Sequence, residues 1–101
     1  MRRLAAITAC TTGLAHTYLA AESLSIAAKA LQVEIKIETR GAIGVENRLT
    51  DLDLEKAEAI IIVTDINIDL KPYANKRLII GQTRDAISQP EALIKRGLGG
   101  E

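Results

Sequence analysis

Residues 4 to 17 read Leu4-Ala5-Ala6-Ile7-Thr8-Ala9-Cys10-Thr11-Thr12-Gly13-Leu14-Ala15-His16-Thr17, an apolar run that ends on a cysteine and breaks at Thr-Thr-Gly. A short apolar run bounded by turn residues reads as a buried strand running into a loop, so the first strand ends at Cys10. From about Ala15 to Leu31 the period changes. Ala20, Leu24, Ala27, Ala28 and Leu31 fall at i, i+4, i+7, i+8 and i+11, one stripe of a helix. A strand passing through a tight loop into a helix is the first unit of an α/β fold.

The chain beyond continues the alternation. Val33, Ile35 and Ile37 alternate with Glu34, Lys36 and Glu38, which predicts a second strand with one face less buried, suited to a sheet edge. Thr39 to Asn47 holds Gly41 and Gly44 and no helical stripe, and is expected to be a loop. Thr50 with Asp53 three residues on marks a short second helix, with Leu54 and Ala57 turned inward. Ala59 to Val63 is a continuous apolar run, the pattern of a central parallel strand covered on both faces. A short segment through Leu70 and Tyr73 leads to a last strand at Leu78-Ile79-Ile80. Ser88-Gln89-Pro90-Glu91 then reads as a capping box opening a final helix that stops near Gly97. The sum is strand, helix, strand, helix, strand, short helix, strand, helix. It predicts a single α/β domain over residues 1–101, a four-stranded parallel sheet with helices on both faces and a phosphate loop between the first strand and the first helix.

Composition narrows the function. The chain has 101 residues, 13 basic and 13 acidic, so no positive field argues for nucleic acid or an anionic membrane. One cysteine and one histidine make a structural metal site improbable and an internal disulfide impossible. No metal and no cofactor are expected. The apolar stretch between Arg3 and Cys10 has six residues, short of the roughly 7–15 of a secretory core region, and no run approaches the roughly 18–20 of a membrane span. The expectation is a cytoplasmic protein whose membrane step, if any, belongs to another polypeptide.

In open parallel sheets ligands sit beyond the carboxyl ends of the strands, where strand order reverses. Cys10, Glu38 and Asp65 all end strands on that side. Backbone amides between Cys10 and Thr17 that lead into a helix make an anion cradle, and the helix amino end stabilises negative charge on phosphate or sulfur alike. Cys10 is therefore expected to face solvent and act as nucleophile, with Thr11, Thr12, Gly13, Leu14, Ala15, His16 and Thr17 around the phosphate. Glu38, Arg40 and Asp65 form a possible rim. Gly13 fits a tight turn or a close approach to the anion. Three readings stay open at the residue level. His16 either contacts phosphate or only orders the loop, Thr12 and Thr17 either bind phosphate or cap the helix, and Cys10 could be a small buried hydrophobe. A thiolate in a phosphate cradle also describes the low-molecular-weight tyrosine phosphatases, but their loop has arginine six residues after the cysteine. Here that position is His16, so the loop looks less suited to hydrolysis.

The chain resembles, over nearly its whole length, the IIB component of the fructose-type phosphoenolpyruvate-dependent sugar phosphotransferase system. The resemblance rests on Ile7-Thr8-Ala9-Cys10, Thr12-Gly13-Leu14-Ala15-His16-Thr17-Tyr18, Ala20-Ala21-Glu22, Ile37-Glu38-Thr39, Gly41, Gly44-Val45-Glu46-Asn47 and Asp65-Ile66. It implies a phosphotransferase in which Cys10 takes phosphate from a phosphohistidine on the IIA component. The phosphate then passes to fructose or a similar sugar bound by the membrane-embedded IIC component, which would hold this chain at the inner membrane without inserting it. Two positions depart from the family pattern. Thr11 stands where proline is usual and Arg40 where glutamine is common. Leu14 and Tyr18 are candidates for an apolar docking rim, or for core packing. The rival readings are a thiol phosphatase and a regulatory interaction module of the same fold.

Overall fold

The computed structural model describes residues 1–11 and 15–100. Five strands form one sheet in the order β3-β2-β1-β4-β5, with β1 Arg3–Ala9, β2 Glu34–Gly41, β3 Gly44–Glu46, β4 Ile60–Thr64 and β5 Leu78–Gly81. Four of them run parallel, as the alternation predicts: β1 pairs with β2 on one side and β4 on the other, and β5 extends β4. The fifth is a correction. β3 lies antiparallel to the end of β2, with Gly41 opposite Gly44 and Thr39 opposite Glu46, in the stretch expected to be a loop. All three residues of β3 are exposed, so no burial alternation could announce it. Gly44 takes φ +94°, a conformation that a side chain resists. The second strand is consequently an edge only along its first half, where no partner covers it.

Burial in the strands follows from their positions. β1 is central, and from Leu4 onward every residue is buried; β4, the apolar run, is buried through Val63. Side chains alternate between faces. Leu4, Ala6, Ile61 and Val63 join Ala20, Leu24, Ala27, Ala28, Leu93 and Ile94 in one aliphatic cluster. Ala5, Ile7, Ile60 and Ile62 join Leu49, Ala57 and Tyr73 in the other. Helices thus cover both faces, with α1 (His16–Ala30), α3 (Thr83–Ser88) and α4 (Pro90–Gly97) on the first and α2 (Asp51–Lys56) on the second.

The helix ends show which local signals were sufficient. Helix α1 buries Ala20, Leu24, Ala27 and Ala28 of the predicted stripe, and Leu31 becomes its C-cap. It stops in a Schellman turn: Gln32 adopts φ +58°, the Val33 amide donates to the Ala28 carbonyl at 2.8 Å and the Gln32 amide to that of Lys29 at 3.1 Å. Helix α2 starts at Thr50 as predicted, with reciprocal bonds from the Thr50 amide to Asp53 (2.9 Å) and from the Asp53 amide to the Thr50 hydroxyl (3.1 Å). The segment before β5 forms only a three-residue 3-10 turn, Lys71–Tyr73. The Ser88 capping box does not form. Ser88 is the last residue of α3, which the sequence reading lacked, and its hydroxyl donates back to the Arg84 carbonyl at 2.8 Å, so Gln89 precedes α4 without a side-chain cap.

Candidate functional site

Strand order reverses between β1 and β4, because the chain moves outward from β1 to β2 and later returns to the other side of β1. The carboxyl ends of these two strands are Ala9 and Thr64, directly paired, followed by Cys10 and Asp65. The Asp65 amide donates to the Ala9 carbonyl at 2.9 Å, which extends the ladder by one bond and fixes Asp65 beside the residue that precedes the cysteine. That is the crevice where open α/β sheets hold ligands. Helix α1 opens at His16 with exposed Ala15 as its N-cap and no side-chain cap; the Ala15 carbonyl accepts the Tyr18 and Leu19 amides at 3.1 Å each.

Cys10 differs from expectation in one respect: it is 4% exposed, where a solvent-facing sulfur was predicted. It directly follows the central strand, whose neighbours on both sides leave little open surface. It is buried at the end of the sheet, directly after Ala9. Thr11 is exposed; Thr12, Gly13 and Leu14, all predicted around the phosphate, lie outside the described residues.

Asp65 is the best-anchored polar side chain of the crevice. One carboxylate oxygen accepts the Thr83 amide at 3.0 Å, the other the Thr83 hydroxyl at 2.5 Å and faces His16 Nδ1 at 3.8 Å. Partial burial alone would raise its pKa. The two bonds from Thr83 and the positive fields of His16 and Arg84 outweigh that and hold the carboxyl below its ordinary value. Thr83, 1% exposed, was not anticipated; the Gln82-Thr83-x-Asp85 helix start was a readable signal for it, since the Gln82 amide donates to Asp85 at 2.8 Å.

Three predicted site residues have other duties. Thr17 neither caps the helix nor offers its hydroxyl to an anion: fully buried, it donates to the Thr8 hydroxyl at 2.6 Å. Glu38 is not at the rim. It lies within β2 opposite Ile7, 1% exposed, and accepts the Leu49 amide (2.9 Å) and Arg40 Nε (2.7 Å). Arg40 stands opposite Ala9 at the end of β2 and also donates to the Tyr73 hydroxyl at 3.1 Å. Partial burial acts to lower its pKa, but the contacts with Glu38 and Tyr73 raise it overall. This Glu38-Arg40-Tyr73 network sits on the α2 face, whereas Asp65, Thr83 and His16 gather with α1 and α3 on the other. The structure therefore separates Glu38 and Asp65, which the sequence placed on one rim. Tyr18 is half-buried, and its hydroxyl accepts the Ile43 amide at 3.4 Å, which ties the β2–β3 hairpin to α1.

Among the described residues no group of three metal-ligating side chains comes together, and no helix is long and apolar enough to cross a membrane.

Comparison with known proteins gives concordant results. The family described as "PTS system, Lactose/Cellobiose specific IIB subunit" matches residues 5–96. The PTS system fructose-specific EIIB'BC component of Xanthomonas campestris pv. campestris is 42% identical over 97 residues, covering 96% of this chain but 17% of that much longer protein. The PTS system fructose-like EIIB component 2 of Escherichia coli K12 is 41% identical over 97 residues, covering 95% of this chain and 92% of that one. A crystal structure of a domain from the fructose-specific IIABC component of Borrelia burgdorferi superposes with a TM-score of 0.92 at 37% identity, over 99% of this chain and 96% of that one.

Proposed function

The chain belongs to the IIB family of the sugar phosphotransferase system, on its fructose-type branch, and from that premise we propose that it is a phosphoryl carrier that holds the group transiently on Cys10. The donor is a phosphohistidine of a IIA component. The acceptor is a hydroxyl of fructose or a fructose-like sugar held by a membrane IIC component, at whose cytoplasmic side the chain works. The observation that carries the reading is the place of Cys10, at the reversal of strand order and at the foot of α1.

In the first transfer the S–P bond forms as the donor's N–P bond breaks, and the thiol proton ends on the departing imidazole nitrogen. In the second the sugar oxygen takes the phosphorus, the S–P bond breaks and the hydroxyl proton ends on sulfur. Such transfers need in-line positioning and donors for the spreading oxygen charge. The amides from Thr11 through Thr17 supply those donors, and His16 adds a ring nitrogen at the mouth. Cys10 is 4% exposed in the unphosphorylated chain, so transfer requires its sulfur to become accessible when the donor docks.

Mass spectrometry after incubation with phosphoenolpyruvate and the upstream phosphotransfer proteins tests the reading. One phosphate on Cys10, absent from Cys10→Ser, is expected. Steady hydrolysis of an aryl phosphate by the chain alone, with no stable adduct, would favour the thiol phosphatase. Sugar uptake that survives Cys10→Ala in dependent cells would favour an interaction module.

A further inference from the structure

Asp65 carries more structure than a rim residue requires. Three hydrogen bonds fix it: its amide to the Ala9 carbonyl, and its two carboxylate oxygens to the Thr83 amide and hydroxyl. Thr83 is itself buried at the start of α3, so the carboxylate cannot swing away without breaking a helix start. About a quarter of its side-chain surface stays open, and there it meets His16, which is half exposed. The two positions that flank the cysteine loop, the end of β1 and the start of α1, thus both meet one residue, the first at its backbone amide and the second at its carboxylate.

We propose that Asp65 is a positioning residue for phosphoryl transfer, turning the Nδ1 edge of His16 toward itself so that Nε2 is presented to the phosphoryl group. The proposal rests on the carrier reading. A carboxylate oxygen only accepts, so at 3.8 Å from Nδ1 it favours a hydrogen on that nitrogen over a lone pair, and its charge favours the cationic ring. The opposite ring edge then has a defined chemical character and a defined direction. The carboxyl is held ionised by its surroundings, which keeps this orienting field in place at neutral pH. In the protonated ring both nitrogens carry hydrogen, so with Nδ1–H turned to Asp65 the Nε2–H donates to a phosphoryl oxygen beside the backbone amides.

Asp65→Asn is the test because the amide preserves the anchoring: its oxygen accepts the Thr83 amide and its nitrogen donates to the Thr83 hydroxyl, while the charge facing His16 disappears. His16 is the chain's one histidine, so ring nitrogen shifts in a labelled sample report it without ambiguity. In the phosphorylated wild type these should show hydrogen on both ring nitrogens, and in phosphorylated Asp65→Asn, which lacks the charge that supports the cationic ring, Nδ1 should lose its hydrogen. The rate of transfer from phosphorylated IIA should fall by roughly ten- to a hundredfold, with the KM for IIA little changed. In the His16→Gln background, Asp65→Asn should cost nothing further, since it acts through the ring. A wild-type ring with bare Nδ1, or losses that simply multiply in the double variant, would overturn the proposal. If Asp65→Asn does not fold, the wild-type ring measurement still decides. A wild type that takes no phosphate at all sinks the carrier reading; a wild type that takes it no faster than Asp65→Asn sinks this proposal alone.

Discussion

The hydroxyl of Thr17 donates to that of Thr8 across 2.6 Å, and neither side chain has any exposed surface. This bond joins the first turn of α1 to β1 two residues before Cys10, so it sets where the helix amino end sits over the crevice. Removing one partner leaves a buried hydroxyl unsatisfied, whereas replacing both with an isosteric apolar side chain does not. Thr17→Val should therefore lower stability by about 1–3 kcal/mol, and Thr8→Val with Thr17→Val should recover most of the loss. Urea unfolding of the two single variants and the double variant checks this; equal losses in single and double variants would contradict it.

Gly41 is required by what lies above it. A Cβ placed there would come within 2.6 Å of the Tyr18 hydroxyl and 2.8 Å of Thr17 Cγ2. Gly41→Ala should cost about 1–3 kcal/mol, the usual range for overpacking, and loosen the β2–β3 hairpin. Introducing Tyr18→Ala in the same chain should reduce that penalty. Thermal unfolding combined with amide exchange at Val45 measures both effects.

Asp53 carries the pH dependence that is easiest to read. Bonds from the Thr50 amide, then Lys36 and the Thr50 hydroxyl, lower its carboxyl from 3.8 to about 2. A group whose pKa is depressed by folding stabilises the native state above its unfolded pKa, and that contribution disappears as pH falls through the folded value. The stability gap between wild type and Asp53→Asn should thus be full at pH 5–7 and close between about pH 4 and 2. Urea midpoints measured across that range would test it, and a gap independent of pH would refute it.

Glu38 should behave as a structural residue. Glu38→Ala strands the Leu49 amide and leaves Arg40 Nε without its carboxylate, a change expected to cost about 3–5 kcal/mol as for other broken buried pairs. Chain that remains folded should still take phosphate on Cys10. Stability and adduct formation, measured on the same sample, separate this from a direct role in transfer.

Periodicity along the chain was enough for the four parallel strands, the stripe of α1, the Thr50 cap and the position of Cys10 at a strand end. Each of these depends on residues a few positions apart, whose faces follow from 2- and 3.6-residue repeats. Strand β3 was illegible because all of it is exposed, and its pairing comes from a hairpin geometry that no burial pattern records. The site's polar partners were illegible for a different reason. Thr83 lies 18 residues from Asp65, Leu49 lies 11 from Glu38 and Tyr73 lies 33 from Arg40, and only the packing of helices and loops on the sheet brings them together. Glu38 and Asp65 look equivalent as acidic residues near strand ends, yet packing sends one to the α2 face as an internal strut and leaves the other open toward His16. Local repeats fix which way a side chain points along its own element; which distant group meets it depends on how whole elements pack.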